Sequence, residues 1–117
     1  MNKTYILLFF LFSTVAVQSQ TLSAYETAAL EAFDREEYSS ALSYYQSALE
    51  IEPDKIDNLY QLAEVARLLH AYQLAEKYYL RVASHEDWAK YPHADFLLAS
   101  VKKRLGKYAE AGDLFQR

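Results

Sequence analysis

Three features of this 117-residue sequence predict an all-α protein, a solenoid of helix-turn-helix repeats preceded by a signal peptide. Glycine and proline occur twice each, too few for a turn-dense β fold, and 52% hydrophobic residues with 15% aromatics exclude a disordered chain. From Leu22 onward the apolar residues recur at spacings of three and four, with almost no strand-like alternation. The same side-chain types then return after 34 to 36 residues, the period of stacked helical pairs. Cysteine is absent, so disulfides, thiolate zinc sites and cysteine nucleophiles are all excluded, and packing must hold the fold together.

The N-terminal segment comes first and reads as an address. Lys3 supplies a positive charge ahead of the apolar run from Tyr5 to Val17. A spanning helix needs about 20 apolar residues to cross roughly 30 Å of hydrocarbon. The run is short for that, and suits a signal peptide over residues 1–19, cut between Ser19 and Gln20 after the small or β-branched Val17 and Ser19. The domain is then extracytoplasmic. Ser23 and Glu26 have capping-box spacing at the expected start of the first helix. Breaks follow at Arg35–Glu37, Glu52–Asp54, His70–Ala71, Glu86–Tyr91 and Gly106–Lys107, which divides the remainder into six helices, the last cut short at Arg117. Pro53 and Asp54 punctuate the second turn, Pro92 suits the first turn of the fifth helix, and His70 is read as a turn residue.

Superposed on one another, the segments expose the repeat. Tyr38, Ala41, Leu42, Tyr45 and Ala48 align with Tyr72, Ala75, Glu76, Tyr79 and Val82, and these with Tyr108, Ala111, Gly112 and Phe115 after two extra residues around Glu86–Tyr91. The stretch from Tyr38 through Ala41, Leu42, Tyr45, Ala48 and Leu49 to Pro53 resembles the second helix and closing proline of the tetratricopeptide repeat. Leu59, Leu62 and Ala63, and later Leu98 and Ala99, look like that family's first helix. The resemblance covers Leu22 to Arg117 and implies a right-handed α-solenoid with repeats at residues 22–55, 56–91 and 92–117, the second carrying a loop insertion and the third incomplete. The chain departs from the pattern in repeat one, which has Ala32 then Phe33 where an aromatic is usual one residue earlier, and in repeats two and three, which have Ala66 and Lys102 at that place. Small side chains at Ala29, Ala41, Ala63, Ala75, Ala99 and Ala111 are expected to let helices approach, with Tyr45, Tyr79 and Phe115 filling the larger gaps. Tyr38, Tyr72 and Tyr108 are read the same way, as packing residues with hydroxyls at the rim. Leu114 and Phe115 are expected to lack a covering helix, as in an N-terminal piece of a longer protein.

Composition and motifs also bound the chemistry. A net charge of −4 argues against general nucleic-acid affinity. No glycine-rich phosphate loop is possible with only Gly106 and Gly112. His85, Glu86 and Asp87, with His93 and Asp95 beyond them, raise a metal-dependent enzyme as a rival, but they lack the helical i, i+4 spacing of known sites; solvated loop polarity is the better account. Asp34, Glu36 and Glu37 form an exposed turn rather than a carboxylate pocket. No enzymatic activity, cofactor or metal is expected.

The family resemblance implies protein–protein interaction. On the first-helix face that lines the groove in such repeats, the chain presents Phe33, Tyr60, Glu64, Arg67, Phe96, Ser100 and Lys103, an aromatic surface with scattered charges suited to clasping a peptide or helix. Where some members clamp a C-terminal carboxylate with basic and amide residues, this chain has Glu26, Leu30, Gln61, His93 and Leu97, so that mode is not expected. Charge is graded along the chain: 9 acidic and 2 basic residues lie between Gln20 and Asp57, against 3 acidic and 6 basic from Lys90 to Arg117. The expected role is an exported scaffolding module of the bacterial envelope, periplasmic or outer-membrane associated. The run from Tyr91 and Pro92 to Gly106 and Tyr108 also resembles the front end of large envelope proteins, in which such repeats precede a β-propeller and a domain resembling outer-membrane protein A. The rival to export is a membrane-anchored adaptor that retains residues 5–17.

Overall fold

The computed structural model describes residues 3–115, with side chains from residue 18 onward; residues 1–2 and 116–117 lie outside the description. Six α-helices follow one another: α1 (Lys3–Asp34), α2 (Tyr38–Ile51), α3 (Ile56–Leu68), α4 (Tyr72–Ala83), α5 (Ala94–Arg104) and α6 (Tyr108–Phe115). A short 3-10 turn, Trp88–Lys90, precedes α5, and no strand occurs among the described residues. Each helix packs chiefly on the next in sequence, α1 on α2 through to α5 on α6. Connections this short bring consecutive helices back antiparallel, so the chain is a row of αα-hairpins.

The turns within the three hairpins are built alike. Glu36, His70 and Gly106 adopt positive φ of 60°, 61° and 79°. The residue after each reaches back to a carbonyl five positions earlier: Glu37 to Ala32 at 2.9 Å, Ala71 to Ala66 at 2.8 Å, Lys107 to Lys102 at 2.8 Å. This is the six-to-one closure of a helix by a left-handed residue, in which glycine fits without strain and Glu36 and His70 do so at some cost. His70 is therefore the turn residue its position predicts.

Small residues let the helices close together. Ala29, Ala41, Ala63, Ala75, Ala99 and Ala111 are all buried, and Tyr45 and Tyr79 fill the gaps between them. One apolar cluster joins α1, α2 and α3 through Ala29, Tyr45, Leu59 and Leu62; a second joins α3, α4 and α5 through Ala66, Tyr79, Leu98 and Val101. Helix α3 contributes most across the two, and α4 and α5 reach the first cluster too through Val82 and Ala94.

Several expectations are corrected. The first helix does not begin at Ser23: α1 runs unbroken from Lys3 to Asp34. No glycine or proline lies between Lys3 and Asp34, so nothing interrupts the helix before the turn at Glu36. Glu26 makes no capping box; its carboxylate accepts from Asn58 Nδ2 at 2.9 Å and pairs with Lys55 at 2.7 Å, tying α1 to α3. Pro92 lies ahead of α5 rather than in its first turn. Phe115 is 47% exposed and Tyr108 is exposed as well, because among the described residues no further element covers them. His85 is not solvated loop polarity. Its side chain is 7% exposed, Nε2 donates to the Asp54 carbonyl at 2.9 Å, and Nδ1 accepts from the Asp87 N–H at 3.0 Å. With Arg81, which donates to the Pro53 carbonyl at 2.6 Å, it fastens the turn after α2 to the end of α4.

The signal-peptide reading of residues 1–19 and the anchor reading of residues 5–17 fall largely outside the described side chains. Among the described residues, no helix is long and apolar enough to cross a membrane.

Candidate partner-binding face

Tyr60, Glu64 and Arg67 follow one another at i, i+4 and i+7 along α3, and Phe96, Ser100 and Lys103 do so along α5. Helical periodicity therefore gives each trio one side of its helix. Arg67 and Leu68 of α3 line a cavity together with Ser100, Val101 and Arg104 of α5, so the last turns of the two helices face each other. Phe33 is elsewhere: it packs edge-on against Tyr38, with ring centroids 5.6 Å apart, and backs onto the first apolar cluster.

On α3 the polar residues are already engaged. The Tyr79 hydroxyl, from the core, donates to Glu64 Oε1 and accepts from Arg67 Nε at 3.1 Å, while Arg67 Nη2 donates to Glu64 Oε2 at 2.9 Å. The three side chains form a closed ring. Burial, and then the carboxylate of Glu64, push the Tyr79 hydroxyl far above the ordinary tyrosine range, so it stays protonated as the donor. Burial works against the Arg67 charge, but its bonds to Tyr79 and Glu64 outweigh that and raise its pKa.

Tyr60 is half-buried because the inserted loop covers it. The Tyr91 ring stacks on Tyr60 at 4.2 Å between centroids and 15° between planes. Tyr91 is fixed by donating its hydroxyl to Asp57 Oδ1, which also pairs with Lys90 Nζ at 2.6 Å. Burial alone would raise the Asp57 carboxyl, but the bonds from Lys90 and Tyr91 hold it below the usual carboxylate range. The loop thus supplies one face of the site.

The α5 trio is more open. Phe96 is 62% exposed and meets Phe115 edge-on at 5.4 Å. The Ser100 hydroxyl donates to the Phe96 carbonyl at 3.0 Å. Lys103 is exposed, and among the described residues neither it nor Arg104 forms an ion pair. Their neighbour Lys102 differs: its side chain, 14% exposed, pairs with Glu76 at 3.1 Å and with Glu110 at 3.3 Å, and Lys107 adds a second cation to Glu76 at 2.9 Å. This partly buried charge seam between α4, α5 and α6 includes Lys102, one of the places where the chain departs from the pattern it resembles.

Sequence reasoning missed Tyr91, Arg104 and the Glu64–Arg67–Tyr79 ring. The two extra residues at Glu86–Tyr91 were the available signal for Tyr91. An aromatic in an insertion that returns to the first turn of the preceding first helix is placed to cover it. The described residues contain no group of three or more histidines and carboxylates converging as metal ligands. What the face offers is stacking, apolar contact and positive charge. In comparison with known proteins, no family model and no curated protein matches the chain.

Proposed function

We propose that this chain is a protein-interaction module: a tetratricopeptide-like right-handed solenoid of the bacterial envelope that holds a peptide or helix of a partner along the α3–α5 face. The observation that carries the reading is Phe96, a large aromatic left 62% exposed on the same helix side as the uncompensated Lys103. Aromatic and basic anchors in a half-desolvated setting are the usual sources of binding energy. The repeated turn geometry at Glu36, His70 and Gly106 supports the repeat reading. Crosslinking in cells followed by affinity purification tests the function. Recovery of a partner with the natural protein and its loss with Tyr60→Ala and Phe96→Ala are expected; unchanged recovery moves the binding site elsewhere.

Export with cleavage after Ser19 is the favoured route to the envelope. The retained-anchor alternative draws support from one observation, the unbroken run of α1 across residues 17–20. N-terminal sequencing of the mature protein separates the two: a start at Gln20 supports export, a start at Met1 the anchor.

A further inference from the structure

Between the last turns of α3 and α5 lies an open cavity of roughly 250 Å³, walled by Arg67 and Leu68 on one side and by Ser100, Val101 and Arg104 on the other, with His70 and Tyr72 also lining it. No carboxylate lines it, although acidic residues outnumber basic ones in the chain by 16 to 12. Of the Arg67 donors, Nε and Nη2 are committed to Tyr79 and Glu64, which locks the guanidinium in place and leaves Nη1 uncommitted. Arg104 and the adjacent Lys103 have no anionic partner among the described residues, whereas the neighbouring Lys102 and Lys107 are both consumed by Glu76. His70 is held by its turn and its ring stacks on that of Tyr72 at 5.7 Å, so two ring side chains line the cavity beside the guanidinium groups. The carbonyl ends of α3 and α5 place about half a negative charge each nearby. The full charges of Arg67 and Arg104 offset that sum together with Glu64, and the unpaired Lys103 beside Arg104 on α5 adds positive charge next to the cavity rather than in its wall. Leu68, itself partly exposed, adds an apolar wall beside the guanidinium groups.

We propose that this cavity receives the side-chain carboxylate of a glutamate or aspartate carried by a partner peptide, clasped between Arg67 and Arg104 with its methylene stem against Leu68; the inference rests on the α3–α5 face being the partner groove. Guanidinium groups match a carboxylate by shape as well as charge, and one already braced by the protein loses little freedom on binding. The chemistry is that of an acidic segment with an apolar or aromatic residue in reach of Phe96. It differs in place from the clamp for a terminal carboxylate, whose positions here hold Glu26, Leu30, Gln61, His93 and Leu97.

Random dodecapeptides displayed on phage and selected against the immobilised full-length chain test this. Enrichment of peptides with an acidic residue at a fixed distance from an aromatic or aliphatic one is expected. A synthetic copy of a selected peptide then binds at least tenfold more weakly to Arg104→Glu, and at least tenfold more weakly when its acidic residue becomes Gln. Arg104 is exposed, so that variant keeps its core, which an unchanged circular dichroism spectrum verifies. Enriched peptides without acidic preference, bound equally by Arg104→Glu but lost with Phe96→Ala, overturn the carboxylate site and leave the groove standing. No enrichment, or enrichment indifferent to both Tyr60→Ala and Phe96→Ala, overturns the groove and the site together.

Discussion

At the residue scale, Tyr79 has two roles, of which its counterpart Tyr45, buried in the first apolar cluster, shares the first. Its ring fills the core between α3 and α4, and its hydroxyl bridges Glu64 and Arg67 of α3. Tyr79→Phe keeps the ring and removes the bridge, so it should cost about 1–2 kcal/mol, the price of unmaking hydrogen bonds to partly buried charged groups. Tyr79→Ala should cost about 3–5 kcal/mol by opening a cavity as well. Urea denaturation of both variants distinguishes bond from packing, and a Tyr79→Phe midpoint equal to that of the natural chain would deny the hydroxyl a role. A second residue-scale effect lies in the turns. Glu36 holds φ of 60° without being glycine, so Glu36→Gly should raise stability by about 0.5–1 kcal/mol. Gly106 holds φ of 79° with no atom within 4 Å of where a Cβ would stand, so Gly106→Ala should lower stability by about 1 kcal/mol through backbone strain alone.

At the element scale, the ion pairs that join helices make stability depend on acid. Burial pushes the Glu76 carboxyl up, but its bonds to Lys107 and Lys102 prevail and hold it below the usual range; Asp57 is depressed by Lys90 and Tyr91 in the same way. A carboxyl with a lowered folded-state pKa contributes its full stabilisation above the unfolded value, about 4, and loses it as pH falls through the folded value. Denaturation midpoints should therefore hold from neutral pH to about pH 5 and drop below about pH 4. Glu76→Gln should flatten that drop while costing about 1 kcal/mol at pH 7, and an unaltered acid limb would show the seam to be idle. The elements also show what the sequence made legible. The breaks were readable because Glu36, His70 and Gly106 fall at repeat spacing and Pro53 marks the turn between the first two hairpins, and the buried alanines because small residues recur with the period. The length of α1 was not readable from Ser23 and Glu26, since a capping pattern competes with helix propagation and nothing else there breaks the chain. The buried role of His85 was hidden because its partners are the Asp54 carbonyl and the Asp87 amide, and backbone groups leave no mark in a sequence. The α3 and α5 faces were legible as i, i+4, i+7 series, whereas the covering of Tyr60 by Tyr91 depends on how an insertion folds.

At the scale of the whole molecule, packing runs from each helix to the next, so local stability should follow the number of flanks covered. Helix α3 contributes to both apolar clusters, while α6 has Ala111 as its one buried residue among those described. Hydrogen exchange should accordingly be slowest in α3 and α4 and fastest in α6, with a difference of at least two orders of magnitude in protection. Uniform protection across all helices would mean a single cooperative unit instead of a graded one.

The unequal lengths of the first two helices carry a further consequence. Helix α1 has 32 residues against 14 in α2, an overhang of about 27 Å at 1.5 Å per residue. Severing the polypeptide after Ser19 would trim that overhang almost flush, leaving Gln20–Asp34 beside a neighbour of similar length, with Glu26, Ala29 and Ala32 still in their seats. Processing and folding are then independent operations, and the trimmed and untrimmed forms should melt within a degree or two of each other.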